Sequence, residues 1–199
     1  ILWEALHNFG VDALPYIPNR FDEGYGINPT SVEKLTDTKL IVTVDNGIVA
    51  NKGIKKAKEL GIDVIVIDHH TLGTKKLNTP FIIHNTQVCG SALAYLFSKE
   101  LGFENGLELA TIGTIADQMP LVGINRSIVK YGLKALEKTK RIGLRKLFED
   151  TKITEINTYE VNYIIAPRLN AMGRLSHGIE SFRLLCTRKV EKAVDLARL

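Results

Sequence analysis

Cysteine is scarce in this chain: Cys89 and Cys186 are the only two among 199 residues. Two thiols exclude a disulfide-stapled scaffold and fit a reducing compartment, so a cytoplasmic protein is expected. Long apolar runs are missing as well. The longest are strand-sized, such as 40–44 and 64–67, far below the roughly 20 residues a membrane-spanning helix needs. No signal-peptide pattern stands at the start. There is no linker rich in Pro, Gly or Ser and no internal repeat. Charged residues make up 24% and apolar residues 45%, which excludes a disordered or low-complexity chain. A chain of this length buries roughly 70% of its unfolded surface and needs no staple. One domain is therefore expected. The chain opens on Ile1 in a helix-like segment, 2–7, and closes on another, 190–199, without a stop signal. The expectation is a domain truncated at both ends.

Charge is uneven. The total is +4, but residues 1–50 hold 3 basic and 7 acidic side chains, and residues 51–199 hold 23 basic and 15 acidic. An acidic start beside a basic remainder suits a site that holds cations and meets a polyanion. An ordinary solvated surface accounts for the same numbers.

The apolar pattern predicts an α/β fold. Residues 39–44 and 62–67 are continuous β-branched runs of the kind found in the middle of a parallel sheet. Residues 80–83 make a shorter third strand, and 12–17 read as a strand stopped by Pro18. A helix over 51–60, closed by Gly61, separates the two strong strands and makes a βαβ unit. Pro29 opens a short helix over 29–35. After Gly90 the pattern turns helical, with helices expected at 91–101, 107–116, 124–138 and 158–165. The reading is a parallel β-sheet with flanking helices in residues 1–85 and a mainly helical part in residues 86–199. A polar break at Lys138–Arg141 could mark a subdomain shift.

Ligands of open parallel sheets bind at the carboxyl ends of the strands. Both strong strands end in polar clusters there: Asp45-Asn46-Gly47 after the first and Asp68-His69-His70 after the second. If the strands are neighbours, these converge. Carboxylates with imidazoles suit Mn²⁺, Mg²⁺ or Zn²⁺, and the lack of a placed cysteine favours the harder two. Each cluster also has a plain explanation, as a tight turn or as a helix cap. Asp117 follows the almost wholly apolar run 109–116. An aspartate ending a buried helix must be paired, hydrogen-bonded or metal-bound. Arg168, Asn170 and Arg174 surround Gly173 with no acidic neighbour, a grouping read as a phosphate-binding loop or as solvated arginines at a helix end. Arg20 and Tyr25 lie in a loop with two glycines, where a strand could approach and stack. His7, His84 and Cys89 read as structural.

Together these pieces resemble the DHH phosphoesterase superfamily. They are Thr43-Val44-Asp45-Asn46-Gly47, Asp68-His69-His70, Cys89-Gly90-Ser91-Ala92 and Ile115-Ala116-Asp117-Gln118-Met119-Pro120-Leu121. Residues 17–26 and 167–175 resemble RecJ-type single-strand-specific exonucleases in particular. The resemblance implies metal-dependent hydrolysis of single-stranded DNA, 5′→3′, in repair and recombination, with two Mn²⁺ or Mg²⁺ ions. It implies that Asp45 bridges the ions, that His69 and Asp117 are ligands, and that His70 faces the scissile phosphate while Asp68 orients an imidazole. It places Arg20 and Arg174 on DNA phosphates, with Asn170 beside them. A single-strand-binding protein and a helicase are the partners it suggests. It further implies an Asp-x-Asp motif just upstream of Ile1 and a C-terminal DHHA1 domain, neither of which is in this sequence, so residues 1–199 alone are expected to be weak or inactive. The alternatives are a phosphoesterase of oligoribonucleotides, cyclic dinucleotides or polyphosphate, and a non-catalytic nucleic-acid-binding scaffold.

Overall fold

The computed structural model describes residues 1–199 apart from 19–22, 25, 76 and 176–177, with backbone alone for 172–175. The chain divides into two compact units, one of residues 1–14 and 18–105, the other of residues 15–17 and 106–199.

The first unit is built on three parallel strands, β1 (Leu40–Val44), β2 (Asp63–Asp68) and β3 (Ile82–His84), in the order β1-β2-β3. Leu40 pairs with Asp63 and Val44 with Ile67, so the carboxyl ends of β1 and β2 finish level. Alternation divides β2 between two faces. Val64 and Val66 join Val32, Ile48, Ile54, Ala57 and Ile62 in one core. That core lies under α2 (Pro29–Glu33) and α3 (Asn51–Glu59). Ile67, on the other face, is fully buried. Helix α4 (Gly90–Glu100) packs on β1 and β2, and α1 (Leu2–Asn8) packs on α4. Local signals set these boundaries. Asn28 caps α2: its Oδ1 accepts the Ser31 N–H at 3.0 Å, while Ser31 Oγ accepts the Asn28 N–H at 3.1 Å. Gly61, at φ +73°, turns the chain out of α3 into β2, a conformation glycine adopts without a Cβ penalty.

Two strand expectations need correction. Residues 11–18 form no strand: Pro15 has no N–H to give a ladder, and Leu14, Tyr16 and Ile17 are exposed. And β1, expected mid-sheet, is an edge strand among the described residues, with Leu40 exposed and Thr43 its one buried residue. Only β2 is central.

The second unit is helical: α5 (Leu107–Ala116), α6 (Gly123–Glu137), α7 (Ile142–Thr151), α8 (Thr158–Glu160), a π-helical turn (Val161–Ile165), α9 (Ala166–Leu175), α10 (Ile179–Cys186) and α11 (Val190–Ala197). Its core joins Ile112, Ile115, Val129, Leu136, Leu144, Leu147, Val161 and Ile165. Helices α5 and α6 approach closely at Gly132, where a Cβ would lie 1.6 Å from Thr111 Oγ1. The 138–141 stretch connects α6 to α7 within this unit. Arg141 there is not a solvated break residue: its Nε donates to Glu108 Oε1 at 2.6 Å and a second guanidinium nitrogen donates to the Leu185 carbonyl at 3.1 Å. Residues 167–175, read as an arginine loop, are helix α9. The helical chain passes through Pro167 because the turn before it widens. Pro167 cannot donate and would clash with the carbonyl four residues back, and the Ala166 N–H reaches Val161 O, five residues back. Among the described residues no helix is long and apolar enough to cross a membrane.

Candidate metal centre

The parallel ladder runs one step beyond β1, since the Asp45 N–H donates to Ile67 O at 2.9 Å. The chain then leaves the sheet with Asp45 at φ +63°. Three hydrogen bonds hold that turn. Thr43 Oγ1 donates to Asn46 O (2.8 Å), Asn46 Nδ2 donates to Val44 O (2.9 Å), and Asn46 Oδ1 accepts the Ile27 N–H (3.3 Å). Gly47 is obligatory in this geometry: φ is +113° and a Cβ would meet Thr43 Oγ1 at 2.7 Å. The segment is thus a tight turn, and one that holds Asp45 in an uncommon left-handed conformation.

At the end of β2, Asp68 is 1% exposed. Its Oδ2 accepts the Ile48 N–H at 2.8 Å. Its Oδ1 accepts the N–H groups of His69 (2.8 Å) and His70 (3.2 Å) and lies 2.7 Å from His70 Nδ1. Ile48 follows the β1 turn, so one buried carboxylate ties the two strand ends together. Burial opposes ionisation of Asp68. The bonds from the His70 ring and the N–H groups of Ile48, His70 and His69 outweigh it and hold the carboxyl below its ordinary value. An ionised Asp68 beside Nδ1 orients the His70 ring, the pattern by which carboxylates position metal-binding or phosphate-facing imidazoles. His84, at the end of β3, donates from Nε2 to the His70 carbonyl at 2.7 Å.

These restraints bring three side chains together. Asp45 Oδ1 lies 3.0 Å from His69 Nε2, and the His69 and His70 rings sit 4.6 Å apart at 55°. One ligand atom each from Asp45, His69 and His70 falls within 4.8 Å of the others. Asp45 and His70 side chains are 60% and 58% exposed, so the group opens to solvent. Helix α4 begins against it: a Cβ on Gly90 would lie 2.4 Å from Asp45 Oδ1. The helix N-terminus thereby sets its partial positive charge beside the carboxylate. Cys89 Sγ accepts the Ala92 N–H at 3.4 Å as the cap of that helix. A carboxylate oxygen with two imidazole nitrogens is a fitting donor set for a divalent cation of the Mn²⁺ type.

The model of the DHH family N-terminal domain matches residues 1–119. This chain belongs to the DHH family. Among similar proteins are the single-stranded-DNA-specific exonucleases RecJ of Bacillus subtilis, 39% identical over 92% of this chain, and of Thermus thermophilus, 38% identical over 98%. The DHH chain spans 25% and 31% of their lengths. Two crystal structures match its fold across 98% of its length: exonuclease RecJ bound to manganese, at TM-score 0.88 and 36% identity over 54% of that chain, and RecJ of T. thermophilus with Mn²⁺, at 0.84 and 32% over 31%.

The remaining expected site residues of the DHH chain fall elsewhere. Asp117 is in the second unit, where its N–H donates to Gly113 O as α5 ends. It is exposed, not buried as the apolar run before it suggested. The apolar residues of α5 stop at Ala116, and Gln118 at φ +53° turns the chain outward. Asn170 is exposed on α9. Arg174 is on the same helix, its side chain outside the described residues, as are Arg20 and Tyr25 altogether. Sequence reasoning missed Ile48 and His84 as parts of the centre, and noted Gly90 only as part of the Cys89-Gly90-Ser91-Ala92 motif, with no role. Gly90 had a usable signal, a glycine directly before an apolar helix where no turn needs one. Ile48 contributes only its backbone and left none.

Proposed function

We propose that this DHH chain is the core of a metal-dependent exonuclease that hydrolyses single-stranded DNA in the 5′→3′ direction, in cytoplasmic DNA repair and recombination. The observation that carries the reading is the convergence of Asp45, His69 and His70 at the carboxyl edge of the sheet. The similarity to RecJ exonucleases supports the substrate class, and the manganese-bound RecJ structure supports Mn²⁺ or Mg²⁺ as the cofactor. Asp45, His69 and Asp117 would hold the metal pair. When bound, such ions lower the pKa of water and offset charge on the phosphate oxygens.

The chain's own residues then divide the work. Asp45, clamped by its turn and by α4, keeps its carboxylate at one place with little reorganisation. His70 would face the scissile phosphate with Nε2, its ring oriented by Asp68 at Nδ1. Asp68 acts through His70 and the strand-end backbone, not on substrate. Arg20, Tyr25, Asn170 and Arg174 would hold the strand, the arginines through phosphate oxygens. A single-strand-binding protein and a helicase are the partners expected of such an enzyme.

The test uses the full-length protein that contains this chain. With Mn²⁺ it should degrade 5′-phosphorylated single strands in preference to duplex DNA and to dinucleotides, and lose that activity with chelator. Asp45→Ala should abolish cleavage while the circular dichroism spectrum is kept. Preference for dinucleotides, or full activity of Asp45→Ala, would overturn the assignment.

A further inference from the structure

A groove of about 340 Å³ opens in the second unit immediately beyond Asp117. Two tyrosines four residues apart, Tyr159 and Tyr163, form one wall, with ring centroids 4.9 Å apart at 41°. They are 61% and 64% exposed. Buried tyrosines stabilise a core; these two rings leave most of their surface to water. Ile115 and Leu121 add apolar lining, and two residues with amide side chains, Gln118 and Asn162, line it as well.

The groove is built rather than incidental. Gln118 holds a left-handed backbone conformation, φ +53°, which a non-glycine residue adopts at a cost. Its loop is fastened by Met119 N–H to Thr114 O (3.2 Å), Val122 N–H to Pro120 O (2.8 Å) and the Asn125 side-chain amide to Pro120 O (3.1 Å). Asn162 and Tyr163 lie in the π-helical turn, a local widening found often at functional sites. Aromatic faces accept any nucleobase by stacking, and amide groups pair with base edges. Phosphate recognition would call for cations, and among the described residues no lysine or arginine lines this groove.

We propose that this groove is a nucleobase subsite, in which Tyr163 and Tyr159 stack on one or two bases of the single strand adjoining the phosphate to be cut. The inference rests on the function proposed above, because Gln118 directly follows Asp117, the proposed metal ligand. A base seated here therefore lies beside Asp117. The subsite reads the presence of an unpaired base and not its identity, and a paired base has no free face to offer.

The experiment uses the full-length protein in chelator, so that binding is measured without cleavage. A 5′-phosphorylated oligonucleotide carries 2-aminopurine at successive positions, and its fluorescence reports stacking. Quenching is expected at one or two adjacent positions near the 5′ end. Tyr163→Ala should relieve it and weaken binding about tenfold, which corresponds to about 1.4 kcal/mol. Tyr163→Phe, which keeps the ring, should retain both. An abasic residue at the quenched position should weaken the wild type but leave the Tyr163→Ala variant little changed. Uniform quenching that ignores both tyrosines, equal losses on normal and abasic strands, or no binding at all would overturn the subsite. Cleavage of unmodified strands with Mn²⁺ is scored separately. Position-specific quenching in a protein that does not cleave would refute the nuclease reading and leave the subsite standing.

Discussion

Gly90→Ala is the sharpest probe of the centre because it replaces none of the proposed ligands. In the structure an added Cβ would lie 2.4 Å from Asp45 Oδ1, 2.6 Å from its Cβ and 2.8 Å from its Cγ, whereas ordinary contact begins at 3.4 Å. About 1 Å of relative movement is therefore required, and a misplacement of that size at a reacting centre costs on the order of 100-fold. Three of the four groups that could yield are restrained. The Asp45 backbone is tied to Ile67 O, its turn is held by Thr43 and Asn46, and α4 is packed on β1 and β2. Rotation of the Asp45 side chain relieves the contacts with Oδ1 and Cγ but not the one with Cβ, so the start of α4 must shift as well, and the carboxylate is displaced from His69. Alanine in place of glycine would otherwise favour a helix by about 1 kcal/mol, so the fold should lose little: overpacking of about 1–3 kcal/mol is partly offset. The expected result is a fall in Mn²⁺ affinity of about 10- to 100-fold, the range for disturbed support of a metal ligand, with a small change in melting temperature. Isothermal titration with Mn²⁺ and a thermal melt on the same protein decide it. Unchanged affinity would refute the claim that α4 sets the position of Asp45.

Asp68→Asn puts an amide NH₂ against a backbone N–H whichever way it is turned, so urea unfolding should show a loss of about 1–3 kcal/mol. The carboxyl of Asp68 is held below its ordinary value in the folded chain. Its contribution is therefore complete above the usual carboxylate range of about 4 and is lost as pH falls through the lowered folded value; the acid limb of metal-free stability should be flatter in Asp68→Asn. Glu108→Ala leaves Arg141, with both side chains of that pair about 85% buried, without its carboxylate, and a loss of about 3 kcal/mol is expected in the same assay. Gly132→Ala drives a methyl into Thr111 at the α5–α6 crossing and should cost about 1–3 kcal/mol, read as a lowered melting temperature with the helical spectrum kept.

The parallel βαβ unit was legible because its signals are local: β-branched runs at 40–44 and 63–68, a helix between them, a glycine after it. The helices α5 and α6 were legible for the same reason. The segment 12–17 was misread because a strand is a pairing, and apolar composition cannot say whether a partner exists. Residues 167–175 read as a phosphate-binding loop or as a helix end, and the structure has them in helix α9, which passes Pro167 because a π-helical turn precedes it. Asp117 was misread as buried because the outward turn at Gln118 needs a left-handed residue that no glycine advertises.

The amino-acid sequence by itself determined that Asp45 and Asp68-His69-His70 follow the two strands of a βαβ unit, whose carboxyl ends are where ligands of parallel sheets bind; that the strands are neighbours is seen in their pairing. Tertiary structure alone decided how they meet. Strand register, the Ile48 N–H on Asp68, the His84 bond to His70 and the approach of Gly90 to Asp45 are contacts between residues distant in the chain. They set distances of about 3 Å that no spacing rule contains, and chemistry at a metal site depends on those distances.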